Sequence, residues 1–260
     1  LEARALVAED FAGKELWRYD PKVPDDYIPY TAACRWLAYY AVPNADAATA
    51  CATRIIEGTL DARILALDAN TGKPCADFGH DGQVDTTEGI GENSPGMFSI
   101  TSPPTIVRGV IVTGHQVLDG QKRDAPSGVI EAYDAQSGAL RWTWDMVKPD
   151  QSGIPPTGQT FTRGTPNMWT AASGDEKLGL VYIPLGVSAA DYWSSSRSDP
   201  EKAFATSLVA IDVTSGKPVW HFQTVHNDVW DYDLGSQATL VDFPSDNGTV
   251  PALVLPSKDR

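Results

Sequence analysis

The chain has 260 residues and a formal net charge of −14, with 42% hydrophobic and 21% charged residues. That length can bury a sizeable core, and the acid excess argues against a nucleic-acid partner, which requires a basic face. No apolar run approaches the ~20 residues of a spanning helix, and no signal peptide is present, so any such segment either was removed or lies outside this stretch.

From the N-terminus, the first predicted element is a hairpin: small apolar residues, then Asp10, Gly13 and Trp17. The same phrase returns around Asp68 and Gly72, around Asp134, Gly138 and Trp142, and around Asp212, Gly216 and Trp220. Before the later three Asp residues, segments 64–67, 129–133 and 207–211 are β-branched or aliphatic, as strands require. The Asp carboxylate can accept backbone N–H groups in the turn, and Gly takes a positive φ without strain. The second copy has Ala76 and Phe78 in place of Trp, so it is degenerate. A unit repeated at long intervals predicts stacked copies of one supersecondary block. The fold expected is all-β, a β-propeller with Trp residues docked between neighbouring sheets, rather than an open sandwich. The Asp positions step by 58, 66 and 78 residues (10 to 68, 68 to 134, 134 to 212), more than the roughly 40–45 of a WD40-type blade. The excess length belongs to loops, where binding chemistry is expected. The chain stops shortly after the strand-like segment 252–255, so about four blades of a longer propeller are expected.

Between the hairpins, chemistry-bearing residues appear in order. Arg35 lies in the largely apolar run Ala33-Cys34-Arg35-Trp36-Leu37 and needs an anionic partner, either an internal carboxylate or a ligand's. Cys34, Cys51 and Cys75 contain no CxxC pair, which argues against zinc; one disulfide with a thiol left over, or three buried thiols, both fit. Asp119, after a strand predicted over 105–113, is a turn residue or a ligand. Gly164-Thr165-Pro166-Asn167 is loop chemistry, and Trp169 beyond it suits either a flat aromatic ligand or the core. Past the fourth hairpin, Asp228, Asp231 and Asp233 crowd three carboxylates among Trp230 and Tyr232. Such crowding suggests a cation site or a general base, or else an exposed acidic loop.

These pieces, in this order, resemble the membrane-bound pyrroloquinoline-quinone (PQQ) dehydrogenases of the glucose/quinate/shikimate group. The resemblance runs over nearly the whole chain and is carried by Ala33-Cys34-Arg35, Thr101-Ser102-Pro103-Pro104, Ser127-Gly128-Val129-Ile130, Arg163-Gly164-Thr165-Pro166-Asn167, Leu178-Gly179-Leu180-Val181-Tyr182, the run from Gln223 to Asp231, and Pro256-Ser257-Lys258. It implies an eight-bladed propeller, of which residues 1–260 form a partial PQQ-binding domain. PQQ is a flat ortho-quinone with three carboxylates. By resemblance Trp169 is the floor beneath its ring, Arg35 pairs a carboxylate, Thr101 and Asn167 are polar contacts, and Lys258 reaches the quinone oxygens. Asp119 falls where the family places an acidic ligand to Ca²⁺ or Mg²⁺, and Asp231 matches the catalytic base.

The sequence also departs from its relatives. Soluble alcohol dehydrogenases of this kind carry an adjacent Cys-Cys pair where only Cys34 stands, and an Asn metal ligand where this chain has Val187. Glucose-oxidising members have a His at the position of Thr31. Asp233 adds a carboxylate found also in lanthanide-using relatives. Arg163-Gly164-Thr165-Pro166-Asn167 is closer to the quinate/shikimate branch, with glucose or a polyol as the alternative substrate. The resemblance implies electron transfer to ubiquinone at the periplasmic face of the bacterial inner membrane, through an anchor outside this stretch. A non-catalytic periplasmic propeller scaffold is the competing reading. The stretch alone is expected to be inactive and prone to self-association through unpaired sheet faces.

Overall fold

In every copy of the repeated phrase the Asp side chain organises the turn. The computed structural model describes residues 5–29, 35–118, 120–246 and 248–258. Oδ1 of Asp10 accepts the N–H groups of Ala12 and Lys14, and Oδ1 of Asp68 those of Asn70 and Thr71. Asp134 does the same for Gln136 and Ser137, and Asp212 for Ser215. Gly13, Gly72, Gly138 and Gly216 all sit near φ +70, where a side chain is strained.

Three of the four turns join paired strands: Leu6–Glu9 with Glu15–Tyr19, Ile130–Asp134 with Leu140–Trp144, and Ser207–Asp212 with Pro218–Gln223. The second copy differs. Arg63–Asp68 pairs with Gln83–Asp85, and the chain directly after Gly72 makes only a bridge from Pro74 to Leu67.

Three four-stranded antiparallel sheets result, each laid out in chain order. The first is Ala38–Ala41, Thr53–Gly58, Arg63–Asp68 and Gln83–Asp85. The second is Thr105–Val107, Val110–Thr113, Ile130–Asp134 and Leu140–Trp144. The third is Ser173–Asp175, Leu180–Pro184, Ser207–Asp212 and Pro218–Gln223. The hairpin of Leu6–Glu9 and Glu15–Tyr19 precedes them, and that of Thr239–Ser245 and Gly248–Val254 follows.

Both faces of the second sheet are buried, with the alternation a strand imposes. Ile111 and Tyr133 pack with Ile56, Ile64 and Ala66 of the first sheet. Their sequence neighbours Val112 and Ala132 pack with Val181, Ile183, Val209 and Ile211 of the third. A sheet covered by a sheet on each side is a stacked blade of a propeller, not half of a sandwich. The Trp residues pin the stack. Nε1 of Trp17 donates to the Ala69 carbonyl at 3.0 Å, and that of Trp142 to the Val213 carbonyl at 2.8 Å. A Cβ on Gly72 or Gly216 would lie 2.5 Å from those rings, so the turn glycine also provides the ring's seat. Trp220 departs from this rule: it rests against Tyr182 at 5.8 Å between centroids and stays 39% exposed.

A Cys51–Cys75 disulfide closes a loop in the first sheet with a sequence separation of 24. Constraining a loop of that length stabilises the fold by about 3 kcal/mol. Cys34 lies outside the described residues. Buried Arg54 donates to the carbonyls of Cys51 and Gln136 and to Asp77, tying the first sheet to the second.

Candidate active site

The first strands of successive sheets touch one another: Ala38–Ala41 meets Thr105–Val107, which meets Ser173–Asp175, which meets Thr239–Ser245. These strands therefore line the inner side of the stack. Arg35, Thr101, Trp169 and Gly235 each stand three or four residues before one of them. Four segments far apart in sequence thus arrive side by side because they occupy the same place in successive sheets.

Hydrogen bonds run from each lead-in segment to the next. Arg35 Nη1 donates to the Thr101 carbonyl at 3.0 Å and to the Trp169 carbonyl at 3.2 Å. Thr101 Oγ1 and Ser102 Oγ each donate to the Trp169 carbonyl at 2.8 Å, and Thr170 Oγ1 donates to the Gly235 carbonyl at 3.3 Å. The Arg35 guanidinium carbon stands 5.2 Å from the Trp169 ring centroid, a cation–π distance. Burial lowers the Arg35 pKa from its ordinary value. Its recorded partners are carbonyl oxygens; among the described residues no carboxylate pairs with it. Its charge remains available to an anion.

Trp169 is held at its other edge. Its Nε1 donates to Asp233 Oδ2 at 2.8 Å, and Val187 N donates to Asp233 Oδ1 at 2.7 Å. The Val187 side chain is in the core, 1% exposed, where it cannot serve as a ligand. Asn167, two residues before Trp169, is 1% exposed; its carbonyl accepts Gly186 N, while its side-chain Oδ1 has no partner.

The three crowded carboxylates divide their roles. Asp228 is fully buried and caps its own loop: it accepts Trp230 N and Tyr232 N at 2.9 Å and the Thr206 hydroxyl at 2.7 Å. Its carbonyl accepts from buried Arg197, whose other nitrogen binds the Ala190 and Asp191 carbonyls. Asp233 is committed to Trp169 and Val187. Asp231 lies between them at φ +60, a left-handed conformation costing a non-glycine residue about 1–2 kcal/mol. Its side chain is partly buried, and its carbonyl accepts Lys258 Nζ at 2.8 Å. The Asp231 pKa is raised by desolvation first, then by Asp233, with Lys258 opposing. Burial likewise raises Asp233, against the bonds from Trp169 and Val187. His226 is exposed on the same loop.

Arg35, Thr101 and Trp169 are joined by hydrogen bonds; Asn167 stands two residues before Trp169, and the Asp231–Lys258 pair begins two residues before Asp233, the indole's partner. Asp119 lies outside the described residues. Ser102 and Gly235 also contribute, and neither is conspicuous alone. Their signal emerges when the lead-in segments are aligned: Thr101-Ser102, Trp169-Thr170 and Gly235-Ser236 each carry a hydroxyl residue in second place.

Residues 2–260 match the family described as PQQ glucose/ethanol/alcohol dehydrogenase, beta-propeller domain. The glycerol dehydrogenase large subunit of Gluconobacter thailandicus is 51% identical over 95% of this chain and 33% of its own length. The quinate/shikimate dehydrogenase (quinone) of Acinetobacter baylyi is 39% identical over 95% of this chain and 32% of its own. The chain spans about a third of the length of these curated relatives. Among solved structures, the quinohemoprotein alcohol dehydrogenase from Comamonas testosteroni superposes with a TM-score of 0.74 at 23% identity, covering 98% of this chain and 37% of that one.

Proposed function

Since this chain belongs to the PQQ-dependent glucose/ethanol/alcohol dehydrogenase β-propeller family, we propose that the protein carrying it oxidises a polyol hydroxyl at the site built around Trp169 and Asp231. The observation that carries this reading is the set of hydrogen bonds joining Arg35, Thr101, Trp169 and Asp233 across separate sheets, with the Asp231–Lys258 pair two residues along the chain from Asp233.

The residues fit PQQ. Trp169 supplies a flat indole beside Gly235, whose missing side chain keeps the ring's far edge clear: a Cβ there would lie 3.2 Å from it. Arg35 and Lys258 are cations suited to a tricarboxylate and its quinone oxygens. Asn167 Oδ1, buried and without a partner, is an acceptor that a bound donor would satisfy. When bound, PQQ supplies the two-electron quinone chemistry of the oxidation.

The chain's own residues do the rest. Asp231 removes the proton from the substrate hydroxyl, and its raised pKa gives it the basicity for that task. Lys258, bonded to the Asp231 carbonyl, places a positive charge beside the reacting groups and favours the ionised carboxylate. Arg35, 5.2 Å from the indole centroid, would hold an anionic group at that ring. Asp119 is assigned to a divalent cation, Ca²⁺ or Mg²⁺, which would polarise the reacting carbonyl.

A polyol is preferred to quinate or shikimate because the glycerol dehydrogenase relative is 51% identical and the quinate/shikimate one 39%. Ubiquinone is proposed as the acceptor, at the periplasmic face of the membrane, by analogy with the quinone-linked relative. Among the described residues no helix is long and apolar enough to cross a membrane.

The test is reconstitution of the full-length protein with PQQ and Ca²⁺ or Mg²⁺, followed by dye reduction with glycerol, longer polyols, quinate, shikimate and glucose. Polyol-dependent reduction is expected, and Asp231→Asn is expected to lower kcat by about 10²–10⁴-fold while sparing PQQ binding. No reduction with any substrate, together with no PQQ binding, favours a propeller scaffold. Normal turnover by the variant removes Asp231 as the base.

A further inference from the structure

We propose that Asp233 is a positioning residue that locks the Trp169 indole in register with the Asp231 loop, so that the flat floor and the base keep a fixed relation. This rests on the reading of Trp169 as the cofactor's floor.

Asp233 is 6% exposed, and each of its oxygens faces one buried N–H: Trp169 Nε1 on Oδ2 at 2.8 Å, and Val187 N on Oδ1 at 2.7 Å. Room for the carboxylate comes from Gly186, where a Cβ would lie 2.6 Å from Oδ1. At the opposite end of the indole, a Cβ on Gly235 would lie 3.2 Å from Cη2. The ring is thus bounded at both ends by residues of one short segment, 233–235. That segment begins two residues after Asp231.

The backbone carbonyl of Trp169 is fixed independently by Thr101, Ser102 and Arg35. Those bonds hold the main chain but leave the side-chain torsions free. The Asp233 bond sets the ring's orientation. Two N–H donors facing two oxygens also explain why the residue is Asp. Asn would satisfy one donor and turn its own NH₂ toward the other.

The experiment is a double-mutant cycle on the full-length protein, with PQQ affinity read by equilibrium dialysis without substrate or dye. The variants are Asp233→Asn, Trp169→Phe and the pair. Phe keeps a ring but has no N–H, so in the Trp169→Phe background the Asn oxygen satisfies Val187 N and its NH₂ meets no opposing N–H. Asp233→Asn is expected to weaken PQQ binding by about 10-fold or more when Trp169 is present, the scale of a hydrogen bond to a charged group. In the Trp169→Phe background it should weaken binding by less than about twofold, since the coupling is then gone. Gly186→Ala, which displaces the carboxylate without changing its charge, should reproduce the loss.

A second readout needs no cofactor. The indole N–H resonance that disappears in Trp169→Phe should move upfield and exchange faster in Asp233→Asn. An equal loss of affinity in both backgrounds, no loss in either, or an unmoved indole resonance overturns the inference. Failure of the unmutated protein to bind PQQ overturns the floor reading instead, and the indole resonance then decides whether Asp233 holds the ring.

Discussion

Glu131 is the most strongly perturbed carboxyl in the second sheet. It is fully buried, and desolvation raises its pKa to about 8, with Tyr133 donating to Oε2 at 3.0 Å and opposing the shift. Asp85 and Glu88 raise it further through like charge. His115, also fully buried, stacks on Phe98 at 4.0 Å and bonds the Thr86 hydroxyl at 2.9 Å. Desolvation lowers its pKa to about 3, so both groups are neutral at neutral pH. A carboxyl whose pKa is raised by folding stabilises fully below its unfolded pKa, and that contribution is lost as pH rises through the folded value. Between about pH 5 and 8, Glu131 therefore makes stability fall with rising pH. Glu131→Gln keeps an acceptor for Tyr133 and cannot ionise. Its melting temperature at pH 9 relative to pH 6 should exceed that of the unmutated protein by about 3 °C or more; equal pH dependence would show that the carboxyl is not held neutral.

The repeated turn was readable because its chemistry is local: an Asp oxygen reaches N–H groups two and three residues on, and a Gly follows at positive φ. Asp212 is held below its ordinary pKa first by the Ser215 hydroxyl and then by Ser215 N. Asp68 and Asp134 are also lowered: desolvation, the largest cause, raises both, but the Cys51 N–H on Asp68, the Arg141 guanidinium on Asp134 and the turn hydrogen bonds on each outweigh it. A carboxylate lowered by folding stabilises above its unfolded pKa of about 4, and that contribution disappears as pH falls through the lower folded value. Asp212→Ala should cost about 1–2 kcal/mol in urea unfolding at pH 6, and less at pH 3; a cost that does not shrink with acid would contradict this. What the sequence left unread at this scale is non-local. The displaced return strand Gln83–Asp85 and the half-exposed Trp220 both depend on the neighbours they meet in three dimensions. The acidic loop shows the same limit. Spacing revealed three crowded carboxylates, but only contacts with Thr206 and Trp169 separate a loop cap and a ring anchor from Asp231, the residue proposed as base.

Across the whole molecule, three stacked sheets turn a linear order of lead-in segments into a spatial neighbourhood. The family resemblance singled out Arg35, Thr101, Asn167, Trp169, Asp231 and Lys258 without saying how they meet. The inner strands provide the reason, since each carries its lead-in segment to the same level of the stack. The stack also leaves apolar side chains outside, including Phe222, Phe243 and Val254 on its last strands. These segments are proposed to surround one flat quinone, which a crystal structure of the full-length protein with PQQ bound would reveal. The quinone is expected stacked on Trp169, with a carboxylate at Arg35 and Lys258 and Asp231 at the quinone oxygens. PQQ bound away from Trp169, or stacked there with Asp231 and Lys258 facing elsewhere, would contradict it.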